Sequence, residues 1–155
     1  MSLSKHFKTD ESLEKAGIEI DYDSVKVRIA RAGGANRRYA KRLEALMKPY
    51  RRAIDNGTIP DEVSQKIVRT VFAETVVLDW ETKIKDAEPG KDPVYKKGIS
   101  PEDAGLEPSD TLLPVNVDNV CKVFSNLPDF FGDLRDQATS SSLFRKDISE
   151  FDQGN

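Results

Sequence analysis

One cysteine, one histidine and one tryptophan stand in a chain of 155 residues, and each scarcity excludes something. Cys121 has no second thiol to pair with, so an internal disulfide and a clustered-cysteine metal site are both ruled out. The only imidazole, His6, lies in a polar N-terminal stretch, a poor place to hold a general base rigidly. There is no P-loop, no G-x-G-x-x-G, no C-x-x-C and no H-E-x-x-H. Long hydrophobic runs are missing too. Nothing approaches the roughly 20 apolar residues that span a bilayer, and the start MSLSKHFKTDESLEKAG lacks the apolar core of a secretion signal. We expect a cytoplasmic protein that is not an enzyme, with no cofactor, metal, catalytic residue or membrane partner.

Charge is abundant. Charged residues make up 33% and hydrophobic ones 37%, and the formal net charge is −3. The distribution is uneven. Residues 24–57 carry ten Lys or Arg against two acids, a local +8, whereas residues 58–155 carry 11 bases against 19 acids, a local −8. A chain polarised in this way tends to have an oriented partner, another copy of itself included.

Residues 1–16 offer only Leu3, Phe7 and Leu13 as anchors and read as a flexible arm. Ile18, Ile20 and Tyr22 alternate with acids, and Val25, Val27 and Ile29 alternate with bases, so a β-hairpin is expected over 18–29. Opposite charges on its two arms would help fix their register. Gly33-Gly34 breaks the pattern, and Asn36 can open a helix as an N-cap. Tyr39, Leu43, Leu46, Met47, Tyr50 and Ile54 then recur at helical spacing, with a kink expected at Pro49 and a stop at Asn56-Gly57. A second, strongly apolar helix is expected over 58–80. Residues 84–114 hold five of the eight prolines and read as a long exposed loop. Two more helices follow, one striped by Val117, Val120, Cys121, Phe124 and Leu127, the other by Phe130, Phe131, Leu134, Ala138 and Phe144. The expected fold is therefore mainly α, a small domain of about four helices over 17–145 with a short N-terminal β-hairpin and a Pro-rich loop, followed by a frayed tail over 146–155.

Two features carry candidate function. Bases flank Gly33-Gly34 at a helix entry, where backbone N–H groups and arginines can hold a phosphate or carboxylate; the plainer alternative is a strand-to-helix turn with solvated arginines. Phe130 and Phe131 are adjacent and point about 100° apart on a helix, so at least one is a candidate for a partner surface unless both pack under neighbouring helices. Cys121 sits on an apolar stripe and reads as a core residue.

The segments VKVRIARAGGANRRY (25–39), KPYRRAI with NGT following (48–58), AETVVLDWE (73–81), FSNLPDFFGDLRDQA (124–138) and LFR (143–145) together resemble the tail assembly chaperones of long-tailed, siphovirus-like bacteriophages. The resemblance covers most of 18–145 and rests on the order of several segments. It implies a helical chaperone of the host cytoplasm that coats the tape-measure protein, keeps it soluble, helps bring tail-tube subunits to it, and is shed before the virion is complete. The 84–114 loop is longer and richer in proline than the resemblance leads one to expect.

On this reading Leu127, Phe130, Phe131, Leu134 and Phe144 are the candidate partner-binding residues. Arg28, Arg31, Arg37, Arg38, Arg42, Arg51 and Arg52 form a second, basic surface. Self-association is expected if the basic segment of one copy meets the acidic half of the next. Two other functions fit the same residues. One is a structural tail-completion subunit of the virion. The other is a small nucleic-acid-binding module using the basic 24–57 region, against which stands the −8 on the chain that follows.

Overall fold

The computed structural model describes residues 2–145; the tail expected to fray, 146–155, lies outside the described residues. Along the chain run α1 (Leu3–Phe7), α2 (Glu11–Ala16), β1 (Ile18–Asp21), β2 (Val25–Ile29), α3 (Arg37–Met47), a 3-10 turn (Lys48–Tyr50) and α4 (Arg51–Asp55). There follow α5 (Asp61–Thr75), β3 (Val77–Lys85), β4 (Val94–Lys97), α6 (Val117–Asn126), α7 (Pro128–Thr139) and a closing 3-10 turn (Ser141–Phe144). The strands form one antiparallel sheet in the order β1-β2-β3-β4. The expected mainly α class is thus overturned. This is a mixed fold in which an antiparallel sheet carries helices on one face.

The difference lies in residues 76–97. The second helix stops at Thr75 instead of reaching Trp80, because the chain turns into β3 at a β-branched run, Thr75-Val76-Val77. From there Trp80 and Thr82 point into the core while Asp79, Glu81 and Lys83 point away, the period-two signature of a half-buried strand. The supposed loop then makes a hairpin. Lys91 N–H donates to the Glu88 carbonyl at 2.8 Å across Pro89-Gly90, and Gly90 takes φ +76°, the Pro-Gly pattern of a type II turn. Beyond β4 the chain still packs: Ile99 is fully buried and pairs with Leu113, and Ala104 is buried below it. Within 84–114 two stretches are continuously exposed, 84–92 from the end of β3 through the Pro89-Gly90 turn, and 105–111.

Other local expectations are met. The hairpin register sets Glu19 against Arg28 and Asp21 against Lys26, as charge complementarity requires. Pro49 interrupts the helical stripe as a 3-10 turn, and Gly57 ends α4 at φ +66°. Residues 9–16, read as part of a loose arm, are instead anchored. The Asp10 carboxylate caps α2 by accepting from Ser12 N–H at 2.9 Å, and Asp10 N–H donates to the Phe144 carbonyl at 2.7 Å.

The core lies between the inner face of the sheet (Val25, Val27, Ile29, Trp80) and α5, α6 and α7. An aromatic chain runs through it. Tyr39 meets Phe72 edge-on, Phe72 meets Phe131 edge-on, Phe131 stacks on Phe124 at 4.2 Å, and Phe130 joins Phe124, Trp80 and Tyr22. Such pairs add about 0.5–1.5 kcal/mol each beyond the area they bury. The Phe124→Ala variant removes the ring at the junction and leaves a cavity, and we predict a loss of about 3–5 kcal/mol, read as a lowered urea midpoint at unchanged slope. A loss below about 1 kcal/mol would show that the core does not depend on that ring.

Candidate functional site

The Gly33-Gly34 turn does hold an anion, and the anion belongs to the chain itself. Glu14, on α2, is 1% exposed. Its Oε2 accepts from Ala35 N–H and its Oε1 faces Arg31 Nη1 at 3.3 Å. Burial by itself would raise the Glu14 pKa, but hydrogen bonds from the Thr9 side chain and Ala35 N–H, with the charge of Arg31, hold it below the ordinary 4.5. Gly34 adopts φ +54°, and a Cβ there would overlap Glu14 Oε2 and come within 2.9 Å of Arg31 Nη1. The glycine is therefore required twice, for its backbone and for the space. Asn36 stands at the N-cap of α3 without capping it. Its Nδ2 donates to the Arg31 carbonyl at 2.8 Å and to the Thr75 carbonyl at 3.0 Å, tying the turn to the end of α5.

The basic candidates are dispersed rather than gathered into one surface. Arg31 is committed to Glu14. Arg42 makes a two-pronged pair with Glu74, its Nη2 lying 3.2 Å from Oε1, and Arg38 Nη2 donates to the Glu74 carbonyl at 3.3 Å. Arg28 donates to the Gly17 carbonyl at 3.1 Å and sits on the sheet between Glu19 and Asp79. Arg51 lies 4.0 Å from Glu44, and Arg37 and Arg52 are exposed. About half of the bases of 24–57 thus meet acids of the same molecule (Lys26, Arg28, Arg31, Arg42 and Arg51), which weakens the reason for expecting an oriented partner from charge polarity alone, while Arg37, Lys41, Lys48 and Arg52 stay exposed.

The aromatic candidates serve the core. Phe131 is 8% exposed, and Leu134 and Phe144 are fully buried. Phe130 is half-buried against Tyr22, Trp80 and Phe124, and of the five only Leu127 is exposed. Both phenylalanines fit one seam because Phe124 reaches each of them from α6. Tyr22 adds a polar tie to the same corner. Its hydroxyl donates to Asp133 Oδ2 at 2.7 Å, and burial, reinforced by that carboxylate, pushes the phenol well above its usual range.

The outer side of α3, the 3-10 turn and α4 remains open. This arm lays Tyr39, Leu43 and Leu46 against the core and turns its other side to water. A concavity of about 560 Å³ there is lined by Lys41, Glu44, Ala45, Lys48 and Arg51, with Tyr50 exposed beside them in sequence. Sequence periodicity located the arm but not the concavity, whose lining runs from α3 past the 3-10 turn to Arg51. His6 is exposed on the short α1, burial pushes the Cys121 thiol up despite the charge of Arg69, and no cluster of three or more metal-ligating side chains occurs among the described residues. Among the described residues, no helix is long and apolar enough to cross a membrane.

A family model described as YdaY prophage protein matches residues 34–155. The chain belongs to the YdaY prophage protein family, and it is phage-derived. The match begins at Gly34, inside the carboxylate-binding turn, and takes in α3 and everything after it. Among curated proteins and among solved structures, no match is found.

Because the Glu14 pKa is depressed, its contribution to stability is present above the ordinary 4.5 and disappears as pH falls through the folded-state value. We predict that Glu14→Gln costs about 1.5–3 kcal/mol at pH 7, and that the gap to wild type narrows below pH 4.5 in denaturant titrations at several pH values. A gap independent of pH would mean that the charge of Glu14 contributes nothing. Gly34→Ala should be at least as damaging at pH 7.

Proposed function

We propose that this protein is a phage tail assembly chaperone that binds the tape-measure protein, keeps it soluble, helps recruit tail-tube subunits, and is not retained in the mature virion. Phage origin supports the setting, and the order of segments across 25–145 supports the role. The observation that carries the reading is the open side of the α3–α4 arm. It offers a shallow basic concavity with a neighbouring exposed tyrosine on an element held to the body along one side. A chaperone of a long helical client needs many modest, reversible contacts rather than one deep site, and a surface of this kind supplies them.

The partner surface proposed here differs from the one expected from sequence. Phe131, Leu134 and Phe144 are needed in the core, so the contact is assigned to Lys41, Lys48, Arg51 and Tyr50, with Leu127 as an exposed apolar neighbour of the α6–α7 junction. Nucleic-acid binding loses support, because Arg28, Arg31, Arg38 and Arg42 already have partners inside the molecule.

Co-expression with the tape-measure protein of the same genome is the test, scored by the amount of soluble client and by co-purification. Wild type should keep the client soluble. Lys41→Glu/Lys48→Glu/Arg51→Glu should cut the recovered complex by about tenfold or more, equivalent to at least about 1.4 kcal/mol of contact, with an unchanged circular dichroism spectrum. An insoluble client with wild type would overturn the chaperone reading, and a triple variant as effective as wild type would overturn the surface.

A further inference from the structure

The outer face of the sheet carries a charge row that ends with opposite signs. Asp21 on β1 pairs with Lys26 on β2, Lys26 with Glu81 on β3, and Glu81 with Lys97 on β4. A second row repeats the alternation, Glu19 to Arg28 to Asp79, and Lys97 Nζ reaches Asp79 Oδ1 at 3.8 Å while remaining 72% exposed. One edge strand, Ile18-Glu19-Ile20-Asp21, is thus acidic, and the other, Val94-Tyr95-Lys96-Lys97, is basic. Among the described residues nothing pairs with the far side of either strand.

We infer that the β4 edge of one copy receives the β1 edge of a second copy, continuing the sheet antiparallel and propagating head to tail. An alignment with Lys97 opposite Glu19 puts Tyr95 opposite Asp21 and Lys96 opposite Ile20, so outward residues stay outward. It also brings the exposed Val94 to the incoming strand. Charge decides among the possible pairings. Two β4 edges would bring lysines together and two β1 edges would bring acids together, whereas β4 on β1 extends the alternation by one step. Lysines on an edge strand ordinarily deter sheet growth, and here they admit only an acidic strand. Each edge is four residues long, about 13 Å, so the contact is small and reversible. Because the two surfaces differ, the assembly is open rather than closed at a dimer. This inference is independent of any client and stands or falls without the tape-measure protein.

The test is sedimentation velocity on the purified full chain from micromolar to its solubility limit, at low salt. Wild type should gain mass steadily with concentration, passing beyond dimer. Raising salt from about 0.05 to about 0.5 M, which shortens the screening length from over 10 Å to a few, should reduce it. Lys97→Glu alone and Glu19→Lys alone should each lose the higher-mass species while keeping the wild-type circular dichroism spectrum. An equimolar mixture of the two variants should regain them, since every junction in an alternating chain again joins opposite charges. Lys97→Arg should assemble as wild type does. A wild type that remains monomeric, variants that assemble unaided, or a mixture that stays monomeric would each overturn the inference.

Discussion

A carboxylate taken out of water must be met by donors on every side, and Glu14 imposes that requirement on the N-terminal half of the molecule. Thr9, Ala35 N–H and Arg31 all converge on it, from three different segments. Satisfying them places α2 against the end of β2, fixes the course of the Gly33-Gly34 turn, and sets the direction in which α3 departs. Asn36 extends the constraint to α5 through the Thr75 carbonyl. An unpaired buried charge would cost several kcal/mol, so these pieces have to be in place together or not at all.

The same economy of charge runs through the rest of the chain. In linear order the bases of 24–57 and the acids that follow look like two poles. Folding interleaves them. β2 lies between acidic β1 and acidic faces of β3, and Arg38 and Arg42 close on Glu74. The charge left facing solvent is therefore not the sum of the sequence charge but its remainder, which includes the open side of the α3–α4 arm and the two edges of the sheet.

Much of the architecture was legible from residues alone. The first hairpin and its register, the break at Pro49, the stop at Gly57 and the helices around Val120 and Leu134 all follow from periodicity and turn chemistry. The sheet was underestimated because Val76, Val77, Leu78 and Trp80 continue the apolar stripe of α5 with no Gly or Pro between, and a short apolar run suits a helix end as well as a strand. The discriminating signal was present further on, in the alternation of Trp80 and Thr82 with Asp79, Glu81 and Lys83, and in Pro89-Gly90. The Gly33-Gly34 turn fits two readings in sequence, an anion-holding turn and a plain strand-to-helix turn; the anion it holds lies 20 residues earlier at Glu14, and sequence order gives no indication that those positions meet. Phe130 and Phe131 illustrate the converse. Two rings that no single helix face can bury together are both packed because a third, Phe124, arrives from the neighbouring helix.

If the turn around Glu14 is what organises this half of the molecule, the carboxyl must titrate as a buried, fully hydrogen-bonded anion. Following the side-chain carboxyl carbon of Glu14 by NMR from neutral to acid pH tests this directly. The account predicts a midpoint below 4.5, reached together with the loss of native signals from residues 31–36. A midpoint at or above 4.5 with those signals unperturbed would contradict it.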